Sequence, residues 1–153
     1  MPPELALRPA DKSDAARAAQ VLLVSRRAAE NRSEIPVGVH SDDEVRRWFS
    51  DVVMVSREVW VSEAAGRLVA VLVLDDAWLD HLYVLPDYSG RGIGSALLDL
   101  AKAVRPDGFS LWVFQRNVPA QRFYLGAGLV EVERTDGNGN EERAPDIRYR
   151  WER

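Results

Sequence analysis

Three glycines at alternating positions, Gly90, Gly92 and Gly94, stand between a strand-like run and an amphipathic helix, and this junction narrows the possible folds most. The stretch reads Leu79-Asp80-His81-Leu82-Tyr83-Val84-Leu85-Pro86-Asp87-Tyr88-Ser89-Gly90-Arg91-Gly92-Ile93-Gly94-Ser95-Ala96-Leu97-Leu98. Pro86 stops the strand, because it has no N–H to donate to a ladder. Ile93, Ala96, Leu97, Leu100, Ala101 and Val104 then fall on one helical face. A helix start leaves backbone donors unpaired and carries partial positive charge, so the loop is a ready anion site. An ordinary turn has no need of three alternating glycines, each of which costs backbone entropy. The expected ligand is a phosphorylated cofactor.

At 153 residues the chain is expected to form a single domain, 1–153, with enough apolar content (46%) to bury a core. No apolar run approaches the ~18–20 residues needed to cross a bilayer. Met1-Pro2-Pro3-Glu4 lacks the basic-then-apolar pattern of a secretory signal, so a soluble cytoplasmic protein without membrane contact is expected. There is no cysteine, which removes disulfides, thiolate metal sites and cysteine nucleophiles. His40 and His81 lie too far apart in sequence to form a metal motif by themselves, and no metal is expected. A net charge of −4 argues against nucleic acid and for a cationic partner.

Leu5 to Arg8 reads as a first strand, and Asp11 as the cap of a helix running to about Ala29. Ser41-Asp42-Asp43-Glu44 matches a capping box, opening a helix expected to turn Val45, Trp48, Phe49, Val52 and Val53 inward. Glu58–Ala64 and Leu68–Leu74 read as strands joined by a hairpin at Ala65-Gly66-Arg67. Leu68–Leu74 is apolar throughout, as in a strand buried on both faces. Beyond the glycine loop come a strand at Phe109–Phe114, a short helix capped by Asn117, and strands at Leu129–Thr135 and Ile147–Trp151. The order β-α-α-β-β-β-α-β-α-β-β predicts an α/β (α+β) fold, with a mixed sheet of about seven strands and about four helices.

Two familiar phosphate loops fail here. A Walker-type loop needs a lysine that this stretch lacks, and a Gly-x-Gly-x-x-Gly fingerprint counted from Gly90 meets Ser95 at its third glycine. Instead, Val84–Leu98 resembles the acetyl-CoA-binding motif of the GNAT N-acetyltransferase superfamily, [Gln/Arg]-x-x-Gly-x-[Gly/Ala] between a strand and a helix. Gly92 and Gly94 match its small positions, while Ser89 stands where Gln or Arg is usual. Downstream, Asn117-Val118-Pro119-Ala120-Gln121-Arg122-Phe123-Tyr124-Leu125-Gly126-Ala127-Gly128-Leu129 resembles the family's Asn-x-x-Ala-x-x-Phe-Tyr-x-x-x-Gly-Phe segment.

The resemblance implies a mostly antiparallel GNAT-like sheet and transfer of an acetyl group from acetyl-CoA, as cosubstrate, to a primary amine of a small molecule or a protein. By the same resemblance, the backbone N–H groups of Arg91, Gly92, Ile93, Gly94 and Ser95 bind the pyrophosphate, Ser89 and Gly90 belong to the same cofactor-binding loop, and the Arg91 side chain is a candidate for a further contact to a cofactor phosphate. Leu82, Tyr83 and Val84 pair with the pantetheine arm, the Val84 N–H polarises the thioester carbonyl, and Asn117 and Phe123 also contact the cofactor. Tyr124 matches the family's general acid. Asp80 and His81 are the candidate bases; strand alternation places them on opposite faces, so that only one meets the acceptor. Lacking cysteine, the chain is expected to use direct attack in a ternary complex. The acceptor site is implied among Glu34, His40, Trp48, Trp78, Glu141, Glu142 and Asp146. A homodimer is compatible with the family. The alternatives are a non-catalytic acyl-CoA-binding or sensor domain of the same fold, and a nucleotide-binding regulator; Tyr124 with Asp80 and His81 favours the enzyme.

Overall fold

The structure, a computed structural model, describes residues 5–153; the N-terminal stretch read above for a signal lies outside the described residues. Seven strands form one sheet in the order β1-β2-β3-β4-β5-β7-β6. They are β1 (Ala6–Pro9), β2 (Glu58–Ala64), β3 (Arg67–Asp75), β4 (Trp78–Val84), β5 (Phe109–Phe114), β6 (Val130–Thr135) and β7 (Asp146–Trp151). Every neighbouring pair is antiparallel except β4 and β5. This is the expected mixed, mostly antiparallel architecture, with strand boundaries within a residue or so of those read from the sequence.

Long helices α1 (Ala15–Asn31) and α4 (Ile93–Val104) both pack on β3 and β4. Residues Leu68–Leu74 of β3 are all buried although their side chains alternate between faces, so α1 and α4 cover opposite sides of the sheet. Ile93, Leu97, Leu98 and Ala101 supply the buried stripe of α4. The short α5 (Val118–Gly126) follows β5, with Asn117 accepting from the Ala120 N–H at 3.3 Å as its cap.

The second helix departs from expectation. Its capping box forms as read: the Ser41 hydroxyl accepts from the Glu44 N–H at 3.2 Å, and the Glu44 carboxylate from the Ser41 N–H at 3.2 Å. However, α2 (Asp42–Trp48) passes into a π-helical stretch (Phe49–Val53) before a last turn, α3 (Met54–Ser56). A wider turn shifts the phase of the side chains. Val45, Phe49 and Val53 are buried as expected, but Trp48 is 37% and Val52 40% exposed. At the first helix, Asp11 caps a 3-10 turn (Lys12–Asp14) that precedes α1, rather than α1 itself.

Two anchors hold the ends of the sheet. Asp14, 1% exposed, accepts from Arg8 at 2.7 and 2.9 Å, from Arg17 at 2.8 Å and from the Asp11 N–H at 2.9 Å. Arg8 also reaches Glu63 of β2 at 2.6 Å. At the other end, the Asp146 carboxylate accepts from the Thr135 hydroxyl and, at 3.2 Å, from Asn140. Asn140 also donates to the Ala144 carbonyl at 2.6 Å and accepts from the Ala144 N–H at 3.1 Å. Gly137 closes this β6–β7 loop at φ +85°, with the Ala144 backbone 2.4–2.7 Å from where a Cβ would sit.

The hydrogen bonds from Arg8, then from the Asp11 N–H, with Arg17 nearby, hold the Asp14 carboxyl well below the usual carboxylate range. Its stabilisation is therefore complete above the unfolded value of about 4 and fades as pH falls toward the lower native one. Asp14→Asn should cost about 2–3 kcal/mol at neutral pH by denaturant unfolding, with the gap to the parent narrowing below about pH 4. Gly137→Ala should destabilise by about 1–3 kcal/mol, since the added carbon has a strained φ and a backbone in its path.

Candidate active site

Parallel strands β4 and β5 touch at one register pair, Trp78 with Ser110, where the Ser110 N–H donates to the Ala77 carbonyl at 2.9 Å. From there they splay. The gap is a cleft of about 520 Å³ walled by Leu79–Val84 on one side and Leu111–Phe114 on the other. The ladder with β3 sets which backbone groups face it. The Leu85 N–H donates to the Val69 carbonyl at 2.8 Å, and Val84 stands opposite Ala70. Antiparallel alternation then turns the backbone groups of Val84 and Leu82 away from β3, toward the gap. The Val84 carbonyl accepts from Ser25 Oγ of α1 at 3.1 Å, leaving its N–H to the cleft.

At the cleft's end the chain makes a 3-10 turn (Pro86–Tyr88) and enters the glycine loop. Gly90 (φ +75°) and Gly92 (φ +82°) are left-handed, which few other residues tolerate. Gly92 is the N-cap of α4 and offers no capping side chain. The first backbone donor satisfied by the helix is Ala96, to the Gly92 carbonyl at 3.0 Å. Among the described residues, the N–H groups of Arg91, Gly92, Ile93, Gly94 and Ser95 find no protein acceptor. Gly94 is small rather than strained: a Cβ there would lie 3.5 Å from Phe123 and 3.8 Å from Val84, in the floor of the cleft. Ser89 donates its hydroxyl to the Pro86 carbonyl at 2.8 Å and closes the turn. The Arg91 guanidinium lies over the Tyr88 ring at 4.9 Å, outside the cleft wall.

Tyr124 and Phe123 of α5 both line the cleft, their rings edge to face at 5.0 Å. Tyr124 is 8% exposed, and its hydroxyl meets no protein partner among the described residues. Burial, with Tyr83 nearby, pushes its pKa upward, so the hydroxyl keeps its proton. Asn117 also borders the cleft but spends its oxygen on capping α5.

The expected opposition of Asp80 and His81 fails. Leu74 pairs with Leu79 and Val73 with His81, so Asp80 is an extra residue in β4, a β-bulge that breaks alternation. Both residues line the cleft. Asp80 sits 3.4 Å from Arg57, which also reaches Asp75 at 3.2 Å. Burial and Asp75 raise the Asp80 pKa despite Arg57. His81 packs edge-on to Trp48 at 5.6 Å and over Tyr83 at 6.0 Å. Burial, with Arg26 and Arg57 nearby, lowers its pKa to about 3, so the imidazole is neutral near pH 7.

A second cavity, about 550 Å³, adjoins the first; Arg26, Gly38, His81 and Glu142 line both. His40, Trp48 and Glu141 line the second, whereas Glu34 lines the first. Trp78 instead stacks on Trp112 at 6.3 Å, and Asp146 is consumed in anchoring the β6–β7 loop. Sequence reading missed Ser25 and Arg26. Both sit on α1 in an ordinary helical stretch, and only the packing of α1 across β4 brings them to the site; Arg26 meets the Tyr83 hydroxyl at 3.4 Å.

Comparison with known proteins agrees with this geometry. Residues 55–129 match the family model described as the acetyltransferase (GNAT) domain. The chain is similar to the peptidyl-lysine N-acetyltransferase YiaC of Escherichia coli, 33% identical over 84 residues that span 54% of this chain and 57% of that protein. An uncharacterized N-acetyltransferase of Archaeoglobus fulgidus is 27% identical over 88% of this chain and 99% of its own length. Among solved structures, apo YjaB of E. coli superposes with a TM-score of 0.77 over 97% of both chains, at 17% identity. The PaiA N-acetyltransferase of Thermoplasma acidophilum, in complex with coenzyme A, gives 0.74 over 98% of this chain and 99% of that one, also at 17% identity. The splayed strand, the glycine loop and the Asn117–Leu129 segment all fall within the matched residues, and the chain belongs to the GNAT acetyltransferase superfamily.

Proposed function

We propose that this protein transfers an acetyl group from acetyl-CoA to a primary amine by direct attack in a ternary complex. The observation that carries the reading is the pairing of two unsatisfied donor sets in one cleft: the free side of β4 and the bare N-terminus of α4. An extended amide-bearing arm fits the first, since it can continue the ladder that β5 abandons. A pyrophosphate fits the second, where converging N–H groups and the helix dipole favour an anion. No lysine or arginine side chain is needed for that cradle, which accommodates Ser89 at the motif's first position.

The chemistry follows from the side chains between these ends. The Val84 N–H donates to the thioester carbonyl oxygen as charge develops on it. The amine must first be neutral, and an alkyl ammonium near pKa 10.4 is uncharged in roughly one molecule per few thousand at pH 7. Asp80, raised by burial and by Asp75, takes that proton through water. His81, neutral with its pKa lowered to about 3, is too weak a base for the task and serves as a polar wall. The amine nitrogen then bonds to the carbonyl carbon, the carbon–sulfur bond breaks as Tyr124 gives its proton to the departing thiolate, and the second proton lost by the nitrogen returns the tyrosinate to its hydroxyl. With no cysteine in the chain, a thioester-linked acetyl-enzyme has no attachment point. The E. coli relative is a peptidyl-lysine N-acetyltransferase, and the lysine side chain is likewise a primary amine.

Tyr124→Phe should lower kcat by about 10²–10⁴-fold while acetyl-CoA affinity, read by calorimetry, changes little; undiminished thiol release would remove Tyr124 from the acid role. The pH–rate profile separates the two base candidates. His81→Gln should keep the rising limb over about pH 6–9, and Asp80→Asn should depress it.

A further inference from the structure

The second cavity has a composition of its own. Glu44, Glu141 and Glu142 line it against Arg26 and His40, whose pKa the Glu141 and Glu44 carboxylates raise, so carboxylates outnumber cations there. Arg26 is already engaged by the Tyr83 hydroxyl at 3.4 Å and faces Glu142 and Glu30. A ligand anion would meet three like charges there, and a ligand cation would balance them. An independent observation points the same way. His81 stands in the wall shared by both cavities, neutral and without a hydrogen-bond partner among the described residues. A neutral imidazole offers one ring nitrogen as an acceptor, which suits an N–H donor passing from one cavity to the other. Beside it the Trp48 indole, 37% exposed, gives an aromatic face for methylenes or a cation.

The carboxylates are held before any ligand arrives. Glu44 is fixed by its capping box, and Glu141 and Glu142 ride on the loop pinned by Gly137, Asn140 and Asp146. His40 bridges Glu141 and, at 3.3 Å, Glu44, tying the β6–β7 loop to α2 across the cavity's outer rim. The cavity's volume, about 550 Å³, is of the size that takes a small molecule.

We infer that the acceptor is a small alkyl amine carrying a second cationic group, with its reacting nitrogen beside His81 in the thioester cleft and its far cation among Glu44, Glu141 and Glu142. This rests on the acetyl-transfer reading above and adds the substrate class.

Thiol release at saturating acetyl-CoA tests it with four acceptors: a four-carbon diamine, the matching monoamine, the matching ω-amino acid, and a lysine-containing peptide. The diamine should exceed the monoamine in kcat/KM by about tenfold or more, the worth of one charge-assisted hydrogen bond, with the amino acid lowest. Glu141→Gln combined with Glu142→Gln should shrink the diamine-to-monoamine ratio to about threefold or less, through KM rather than kcat. Equal or better use of the monoamine, the amino acid or the peptide, or an unchanged ratio in the double variant, would overturn the dicationic assignment alone. Binding of acetyl-CoA without thiol release on any of the four would overturn the acetyl-transfer reading and this inference with it.

Discussion

An interior strand that loses its neighbour leaves a row of backbone donors and acceptors with nothing to bond, and that constraint organises this protein. β4 is paired along one side with β3 and held to β5 at only one register position. Its groups at Leu82 and Val84 face a gap that only solvent or a ligand backbone can fill. A buried, unpaired amide costs about 1–3 kcal/mol, so the gap must stay wet until it is occupied. The rest of the fold keeps the gap open. β3 is buried on both faces and so rigid, α1 ties down the Val84 carbonyl through Ser25, and β5 is drawn away by its full antiparallel pairing with β7.

The electrostatics of the cleft follow from depth. Burial works in opposite senses on its ionisable groups, since it always disfavours the charged form. Tyr124 thereby keeps its proton and can act as an acid, whereas His81 sheds its proton and becomes a neutral acceptor. Asp80 lies nearer the surface, where Arg57 partly offsets burial and the neighbouring Asp75. Acid, neutral wall and carboxylate therefore sit in one cleft with distinct protonation states at the same pH. Outside it, the carboxylates of the second cavity remain with exposed partners such as His40.

Much of this was legible in the sequence because it is local. The apolar run of β3, the Ser41–Glu44 capping box, the hairpin at Ala65–Gly66 and the glycines before α4 each act within a few residues, and each forms as read. The cofactor end of the site shares that locality. What sequence reading missed depends on register and packing. The bulge at Asp80 exists only in the pairing with β3; it breaks the expected alternation, and Asp80 and His81 are both residues of one cleft. The π-helical stretch turns Val52 out of the expected core, because a helical period of 3.6 carries no sign of a wider turn, and Trp48 just before it lines a cavity instead. Arg26 and Glu142 come together although they stand 116 positions apart in the sequence, a juxtaposition that topology alone creates.

The central claim is that the free edge of β4 and the N-terminus of α4 jointly receive acetyl-CoA. Amide hydrogen exchange, resolved by residue with and without the cosubstrate, tests it most directly. The N–H groups of Leu82 and Val84, together with those of Gly92, Ile93, Gly94 and Ser95, should exchange quickly in the free protein and slow by about tenfold or more on binding, as each gains an acceptor. Binding that leaves those amides unprotected, or protects a different surface, would contradict the account.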